Sequence, residues 1–206
     1  TLFRSVVKGW CTESAVGITS TGVQVHGGMG FIEETGAAQH LRDARITPIY
    51  EGTTAIQAND LVGRKTARDG GQTARAIAAQ IEKTEAELRA SATPAALSVA
   101  DRLAAARASF LAAVDFIAAS AKRAPNAAYA GSVPYLMLAG NLVAGWQMGR
   151  ALLVAQDKAA AGEDVQFMQA KVATARFYGD HILTKVGGQA ESILHGADAV
   201  MALPHE

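Results

Sequence analysis

The chain has 206 residues, of which 50% are apolar, 18% are charged and 6% are aromatic. A chain with this much apolar material can bury a core, which excludes a wholly disordered protein. Nineteen basic and nineteen acidic residues give a formal net charge of zero, so the basic excess typical of nucleic-acid-binding proteins is absent.

The composition also indicates the fold class. Alanine is abundant and only five residues are prolines, which predicts an all-α protein. The single cysteine, Cys11, excludes an internal disulfide framework and fits a cytoplasmic protein. The glycine content changes near residue 70, since 11 of the 20 glycines lie in residues 1–71. We therefore expect two domains, residues 1–71 and residues 72–206.

The first domain is expected to contain three helices around a glycine-rich turn. The helical periodicity of apolar residues predicts a helix over Val6 to Thr21, with Cys11 on its buried face. A turn at 25–30 and a short helix at 34–44 follow, and Thr53 or Thr54 caps a helix that extends to about Thr66. The sequence Arg68-Asp69-Gly70-Gly71 then predicts a helix end and a linker.

The second domain is expected to be an up-and-down bundle of helices over about 73–91, 95–121, 132–160 and 165–202. Glu85 interrupts the apolar face of the first helix, so we expect that helix to be only partly buried. Whether Gly187-Gly188 breaks the last helix is left open by the sequence. Residues 124–149 carry no charge, but their prolines and polar residues favour a buried helix of a soluble bundle over a membrane span.

Motifs for metal or nucleotide binding are missing. The five histidines are scattered, and no second ligand stands at metal-binding spacing. Gly28 and Gly30 do not complete a dinucleotide-binding motif, because Glu33 occupies the place of the third glycine. An exposed glycine turn between helices can nevertheless bind an anion through its backbone N–H groups.

Two segments point to one family. They are Gln24-Val25-His26-Gly27-Gly28-Met29-Gly30-Phe31, and Arg42-Asp43-Ala44-Arg45-Ile46 followed by Ile49-Tyr50-Glu51-Gly52-Thr53-Thr54-Ala55-Ile56-Gln57. Together they resemble the second half of the C-terminal helical domain of the acyl-CoA dehydrogenases, over about residues 5–66. The remainder, which ends in Ala197-Asp198-Ala199-Val200-Met201-Ala202-Leu203-Pro204, is similar to the extra C-terminal domain of the larger bacterial members. Those members include the 3-methylmercaptopropionyl-CoA dehydrogenases.

The resemblance implies roles for ten residues. Taken alone, Glu51 would be a solvated loop carboxylate, but by resemblance it is the base that removes the α proton of an acyl-CoA thioester. Such a base works best when burial raises its pKa toward the working pH, whereas a nearby helix N-terminus has the opposite effect. Gly52 would lie against the thioester, and Thr53, Thr54 and Ala55 would contact FAD. The turn that would receive the ADP part of FAD from a neighbouring subunit consists of Gln24, Val25, His26, Gly27 and Gly28, and we expect Gly28 to be intolerant of bulk.

The implied protein is a homo-oligomer that passes electrons to an electron-transfer flavoprotein. Two alternatives share the same fold: an acyl-CoA oxidase that uses oxygen, and a non-catalytic relative. A third alternative is that residues 72–206 act only as a domain that covers the rest of the protein or forms the oligomer. Because much of the family's flavin and acyl pocket lies in parts that precede these residues, the chain is expected to be a piece of the enzyme. By itself it should neither hold FAD tightly nor turn over substrate.

Overall fold

The computed structural model describes residues 2–200 and residue 202. This part of the chain contains no β-strand, which confirms an all-α protein. The end of the last expected helix, and most of the tail at Met201 and 203–206, lie outside the described residues. The α-helices are, in chain order, α1 (Leu2–Val25), α2 (Gly28–Phe31), α3 (Ala37–Ile46), α4 (Thr54–Asp60), α5 (Gln72–Ser91), α6 (Pro94–Ser120), α7 (Pro125–Ala130), α8 (Ser132–Ala160), α9 (Val165–Tyr178), α10 (Lys185–His195) and α11 (Ala197–Val200).

Three short segments of other helical types complete the chain. A 3₁₀-helix covers Glu33–Thr35, and π-helical turns cover Leu61–Ala67 and Gly179–Leu183. The first π-helical turn continues α4, so helical backbone extends from Thr54 to Ala67, close to the expected end near Thr66. Gly70 and Gly71, with φ of 64° and 83°, then make the turn before α5, as the glycine pair predicted.

Gly187 and Gly188 do not break the last helical stretch, because both lie inside α10. Each glycine costs only about 1 kcal/mol relative to alanine in a helix. That cost is offset by the buried face of α10, which is formed by Val186, Ala190 and Ile193. The stretch is interrupted instead at the π-helical turn and at Gly196.

The buried face of α1 differs from the expected one. Cys11 is exposed, and the side chains that face the core are Val6 and, in part, Trp10. Gly9 lies against Leu136 of α8, so the absence of a side chain there allows the two helices to approach closely. The expectation for Cys11 was wrong because two apolar stripes run along α1, and periodicity does not say which of them meets the core.

α5 is only partly buried, as expected, but the expectation that Glu85 interrupts its apolar face was wrong. Glu85 is buried, and its carboxylate accepts hydrogen bonds from Arg107 of α6 at 2.8 and 3.0 Å. A buried carboxylate is tolerated when it is paired in this way. The inward face of α5 is therefore buried from Ala74 to Leu88.

One continuous core joins the parts before and after residue 71. α8 is central: Tyr135 stacks on Phe110 of α6 with ring centroids 5.9 Å apart. The hydroxyl of Tyr135 lies 3.0 Å from that of Thr66, which belongs to the first π-helical turn. The same apolar cluster includes Leu61 and Val62, together with residues of α5, α6, α8 and α10. The division at residue 71 stays a prediction.

In the part of the chain that the structure describes, α6 is the one helix long and apolar enough to cross a membrane. A buried core helix passes the same test, and one side of α6, from Ala96 to Ile117, lies in the core. The uncharged stretch 124–149 falls in α7 and α8, where Tyr135, Leu136 and Leu138 are fully buried.

Candidate functional site

The loop between α3 and α4 carries Glu51 in an unusual backbone conformation. Glu51 has a φ of 51°, in the left-handed region, and Gly52 follows with a φ of 94°. The conformation of Glu51 is costly, since a left-handed backbone at a non-glycine residue destabilises the fold by on the order of 1–3 kcal/mol. The Glu51 side chain is exposed. The loop thus presents a carboxylate on the surface at an energetic cost.

Gly52 is restricted by its surroundings as well as by its φ. A Cβ atom at this position would lie 2.7 Å from Nε2 of Gln57, which is one turn further along in α4. Any larger residue would therefore have to displace the Gln57 side chain and adopt a strained backbone. Glycine at this position therefore leaves room for the Gln57 side chain next to the Glu51 loop.

The start of α4 has the cap that the sequence predicted. Oγ1 of Thr53 accepts a hydrogen bond from the N–H of Ile56 at 3.4 Å. Thr54 uses its own donors within the chain: its N–H donates to the carbonyl of Pro48 at 3.2 Å, and its hydroxyl donates to Oε1 of Glu13 at 2.5 Å. Ala55 is exposed, and its N–H belongs to the first turn, whose amides have no helical acceptor. An anion at this helix start would thus meet the backbone of Ala55 rather than the hydroxyl of Thr54.

The glycine turn lies at the other end of α1. Gln24, Val25, His26, Gly27 and Gly28 are all exposed. Gly27 has φ 59° and ψ −144°, a conformation that is essentially restricted to glycine. Gly28 has an ordinary φ, and a Cβ there would meet no atom within 4 Å. Within this chain, glycine is therefore required at position 27 by the backbone conformation. At position 28 no described residue would contact a larger side chain at its Cβ.

The two groups of candidate residues are not brought together. Glu13 of α1 contacts Thr54 beside the Glu51 loop, whereas the turn begins twelve residues later at Val25. A helix rises 1.5 Å per residue, so the separation along α1 is about 18 Å. Glu51, Gly52, Thr53 and Ala55 form one surface region, and residues 24–28 form another.

A cleft of about 410 Å³ lies beside the turn. Its walls come from α1, the turn after it, the 3₁₀-helix and α3, and they include Ile18, Gly22, His26 and His40. Nδ1 of His26 is 2.9 Å from the carbonyl of Gly22 and so is occupied by the backbone. Among residues 2–200 and 202, no three His, Cys, Asp or Glu side chains come close enough to hold a metal ion.

Sequence reasoning missed two charged residues of α1 that contact the Glu51 loop. Nζ of Lys8 donates to the carbonyl of Thr47 at 2.8 Å, and Glu13 binds Thr54 as described. The partners are 39 and 41 residues apart in the chain, so no local pattern reveals them. The available signal was that both residues are charged in an otherwise mostly uncharged helix. Arg42, which belongs to the second family segment, forms a two-point ion pair with Glu33 at 2.8 and 2.9 Å.

Comparison with known proteins gives one consistent result. Residues 2–65 match the family model described as acyl-CoA dehydrogenase, C-terminal domain, and residues 76–204 match the model described as acetyl-CoA dehydrogenase C-terminal like. The chain is 55% identical to a 3-methylmercaptopropionyl-CoA dehydrogenase of Ruegeria pomeroyi over 95% of this chain and 33% of that protein. It is 34% identical to a broad-specificity linear acyl-CoA dehydrogenase of Mycobacterium tuberculosis over 93% of this chain and 33% of that protein.

A shorter similarity is found to a mitochondrial enzyme. The chain is 50% identical over 52 residues to the mitochondrial short-chain specific acyl-CoA dehydrogenase of Sus scrofa, which is 25% of this chain and 13% of that protein. The chain spans about a third of the length of the two bacterial relatives. On the two family models, which cover residues 2–65 and 76–204, the chain belongs to the acyl-CoA dehydrogenase family.

Proposed function

We propose that the chain is the C-terminal part of an FAD-dependent acyl-CoA dehydrogenase and that Glu51 is its base. The observation that carries this proposal is the left-handed backbone of Glu51, followed at once by left-handed Gly52. A costly conformation at a non-glycine residue is a reason to look for function there, and unlike Ala92 and Asp164, which share a positive φ, Glu51 lies in a segment that resembles the family's catalytic motif. The relatives named as acyl-CoA dehydrogenases support the reaction class.

In this proposal the carboxylate of Glu51 takes the proton from the α carbon of an acyl-CoA thioester as the α–β double bond forms. FAD, when bound, supplies the acceptor for the hydride that leaves the β carbon. Gly52 would let the thioester approach the backbone beside the carboxylate, since it has no side chain of its own and the space that a Cβ would take is occupied by the Gln57 amide. The helix start at Thr53 to Ala55 offers a backbone N–H for a phosphate oxygen.

The glycine turn is proposed to bind the ADP part of FAD. Residues 24–28 are exposed, and the two glycines bring backbone rather than side chains to the surface. Because the turn is about 18 Å from the Glu51 loop along α1, it suits a cofactor held mainly by a neighbouring subunit. We therefore propose a homo-oligomer. From the family resemblance and the single cysteine we further propose that it is cytoplasmic and that it passes its electrons to an electron-transfer flavoprotein.

Replacement of Glu51 tests the proposal in the full-length protein. Glu51→Gln keeps the size of the side chain and removes its basicity. We expect normal FAD content but flavin reduction by acyl-CoA slowed by roughly 10²–10⁴-fold, measured by anaerobic stopped-flow absorbance. The matched control is Glu34→Gln, which replaces an exposed carboxylate of the 3₁₀-helix. In this variant acyl-CoA should reduce the flavin at the normal rate.

Two outcomes would change the proposal. Reduction of the Glu51→Gln flavin at a near-normal rate would mean that the base lies elsewhere. Rapid reoxidation of the reduced wild-type enzyme by oxygen, with release of peroxide, would replace the dehydrogenase by an acyl-CoA oxidase.

A further inference from the structure

The end of α3 that leads into the Glu51 loop is held by Lys8. Its ammonium donates to the carbonyl of Thr47 at 2.8 Å, and Thr47 is the residue that ends α3. Carbonyls at a helix C-terminus lack helical donors and carry partial negative charge, so a cation stabilises them. Nζ of Lys8 also lies 5.8 Å from the centroid of the Tyr50 ring, next to Glu51.

The other end of the loop is held by Glu13. Its carboxylate accepts the hydrogen bond from the hydroxyl of Thr54, the first residue of α4, at 2.5 Å. Negative charge is favourable beside a helix N-terminus. Lys8 and Glu13 thus each have the sign of charge that suits the helix end they contact.

The two contacts enclose the strained loop. Lys8 and Glu13 are five residues apart on α1, which corresponds to a rise of about 7.5 Å along a continuous helix. Between their partners lie Glu51 and Gly52, both with positive φ. Within the loop itself the backbone bonds are local, such as Tyr50 N–H to the carbonyl of Ile46 at 3.2 Å. Local turns of this kind do not fix the loop relative to the rest of the protein, whereas contacts to α1 do.

We propose that Lys8 and Glu13 are positioning residues that fix the two ends of the Thr47–Thr53 loop to α1 and so direct Glu51 toward the substrate. This inference rests on the proposed role of Glu51. Neither residue touches the reacting atoms, and each acts through the backbone or side chain of a loop end. A base displaced by about 1 Å can lose on the order of 10²-fold in rate, so the contacts should matter for turnover even where the fold is intact.

The test uses the full-length, FAD-loaded protein with the variants Lys8→Met and Glu13→Ala. We expect the rate of flavin reduction at saturating acyl-CoA to fall roughly 10- to 100-fold in both variants, with the KM for acyl-CoA little changed. FAD content should stay normal in Lys8→Met, whose contact lies at the α3 end of the loop. Amide hydrogen exchange of peptides covering residues 47–57 should become faster, because the loop ends are released. The control Arg4→Met removes an exposed cation from the same helix and should change neither quantity.

Conservative variants keep the test decisive if the first pair folds poorly. Lys8→Arg retains a cation, and Glu13→Gln retains an acceptor oxygen, so both should recover most of the rate and most of the exchange protection. Wild-type rate and exchange in Lys8→Met and Glu13→Ala would overturn the positioning role, while an inactive Glu51→Gln would leave the proposed function standing. An active Glu51→Gln would overturn the proposed function, and accelerated exchange in Lys8→Met would still show that α1 holds the loop.

Discussion

Gly27 and Gly28 are neighbours in the exposed turn after α1, yet only one of them is held in a conformation reserved for glycine. Gly27 has φ 59° and ψ −144°, and Gly28 has an ordinary φ with open space around a Cβ. We expect Gly27→Ala to lower the free energy of unfolding by about 1–3 kcal/mol and Gly28→Ala to change it by less than about 0.5 kcal/mol. Urea denaturation followed by circular dichroism measures both, and equal effects would contradict the assignment.

The same difference makes Gly28 a probe of contacts outside this chain. Because nothing in the described residues crowds a Cβ at Gly28, a loss of FAD from Gly28→Val would have to come from the cofactor or from another subunit. In the full-length protein we expect lower FAD occupancy with an unchanged helical spectrum. Hybrids of Gly28→Val and Glu51→Gln chains should regain activity, since one of their sites would carry neither defect.

The family resemblance singled out Glu51, Gly52 and the glycine turn as candidates because short motifs are visible in the sequence, and their roles stay predictions. The sequence did not identify Lys8 and Glu13, whose partners lie 39 and 41 residues away. It also placed Cys11 in the core, whereas the thiol is exposed. Which stripe of α1 is buried depends on where α8 packs, and that contact is set by the tertiary fold rather than by the helix itself.

Among the helices, α10 contains two consecutive glycines that lower the stability of the protein, and substitution by alanine should restore that stability. Gly187 and Gly188 are exposed, and a Cβ at either would meet no atom within 4 Å. Alanine reduces the conformational entropy of the unfolded chain and favours the helix, so each Gly→Ala change should stabilise the protein by about 0.5–1 kcal/mol. Thermal unfolding of the single and double variants tests this, and Gly162→Ala, at φ 79°, is a matched substitution that should destabilise.

The start of α5 depends on the ionised carboxylate of Asp69. The hydroxyl of Thr73 donates to Oδ2 at 2.5 Å, and the N–H groups of Thr73 and Gly71 donate at 3.0 Å. These bonds, with that from the Thr73 hydroxyl the largest influence, lower the pKa of Asp69 in the folded protein. The stabilisation is therefore complete above the ordinary aspartate pKa of about 4 and is lost as the pH falls through the lowered folded value.

Asp69→Ala should accordingly cost about 1 kcal/mol at pH 7. The difference between wild type and variant should stay constant from about pH 7 down to about pH 5 and shrink below about pH 4. Denaturant midpoints measured across this range give the difference directly. A difference that grew on acidification would mean that the neutral carboxyl is the stabilising form.

At the scale of helices, periodicity predicted most of the elements, since an apolar stripe must be covered wherever it occurs. It did not predict the π-helical turns at Leu61–Ala67 and Gly179–Leu183. Such segments usually occur as single turns inside α-helices, and no apolar periodicity marks where they lie. The burial of Glu85 was not predicted for a related reason, because its partner Arg107 is on another helix.

For the whole molecule, the core does not stop at the boundary that glycine content indicated. Leu61 and Val62 belong to the same apolar cluster as Phe110 and Tyr135, and the Thr66–Tyr135 hydroxyl contact lies inside it. Separating residues 1–71 from the rest would therefore expose apolar surface on both parts and leave a buried hydroxyl without its partner. We expect the two parts to unfold together.

The two tryptophans make that cooperativity directly visible. Nε1 of Trp10, in α1, donates to Oδ1 of Asn141 in α8 at 2.9 Å, and Nε1 of Trp146 donates to Oγ1 of Thr84 in α5 at 2.9 Å. The emission of Trp10 therefore reports the contact between the two parts, while that of Trp146 reports the interior of the second part. In Trp10→Phe and Trp146→Phe proteins, the remaining fluorophore should give the same denaturant midpoint, as coincident probes do in a two-state transition. If Trp10 lost its folded emission at a lower denaturant concentration than Trp146, α1 would detach before the helices behind it unfold.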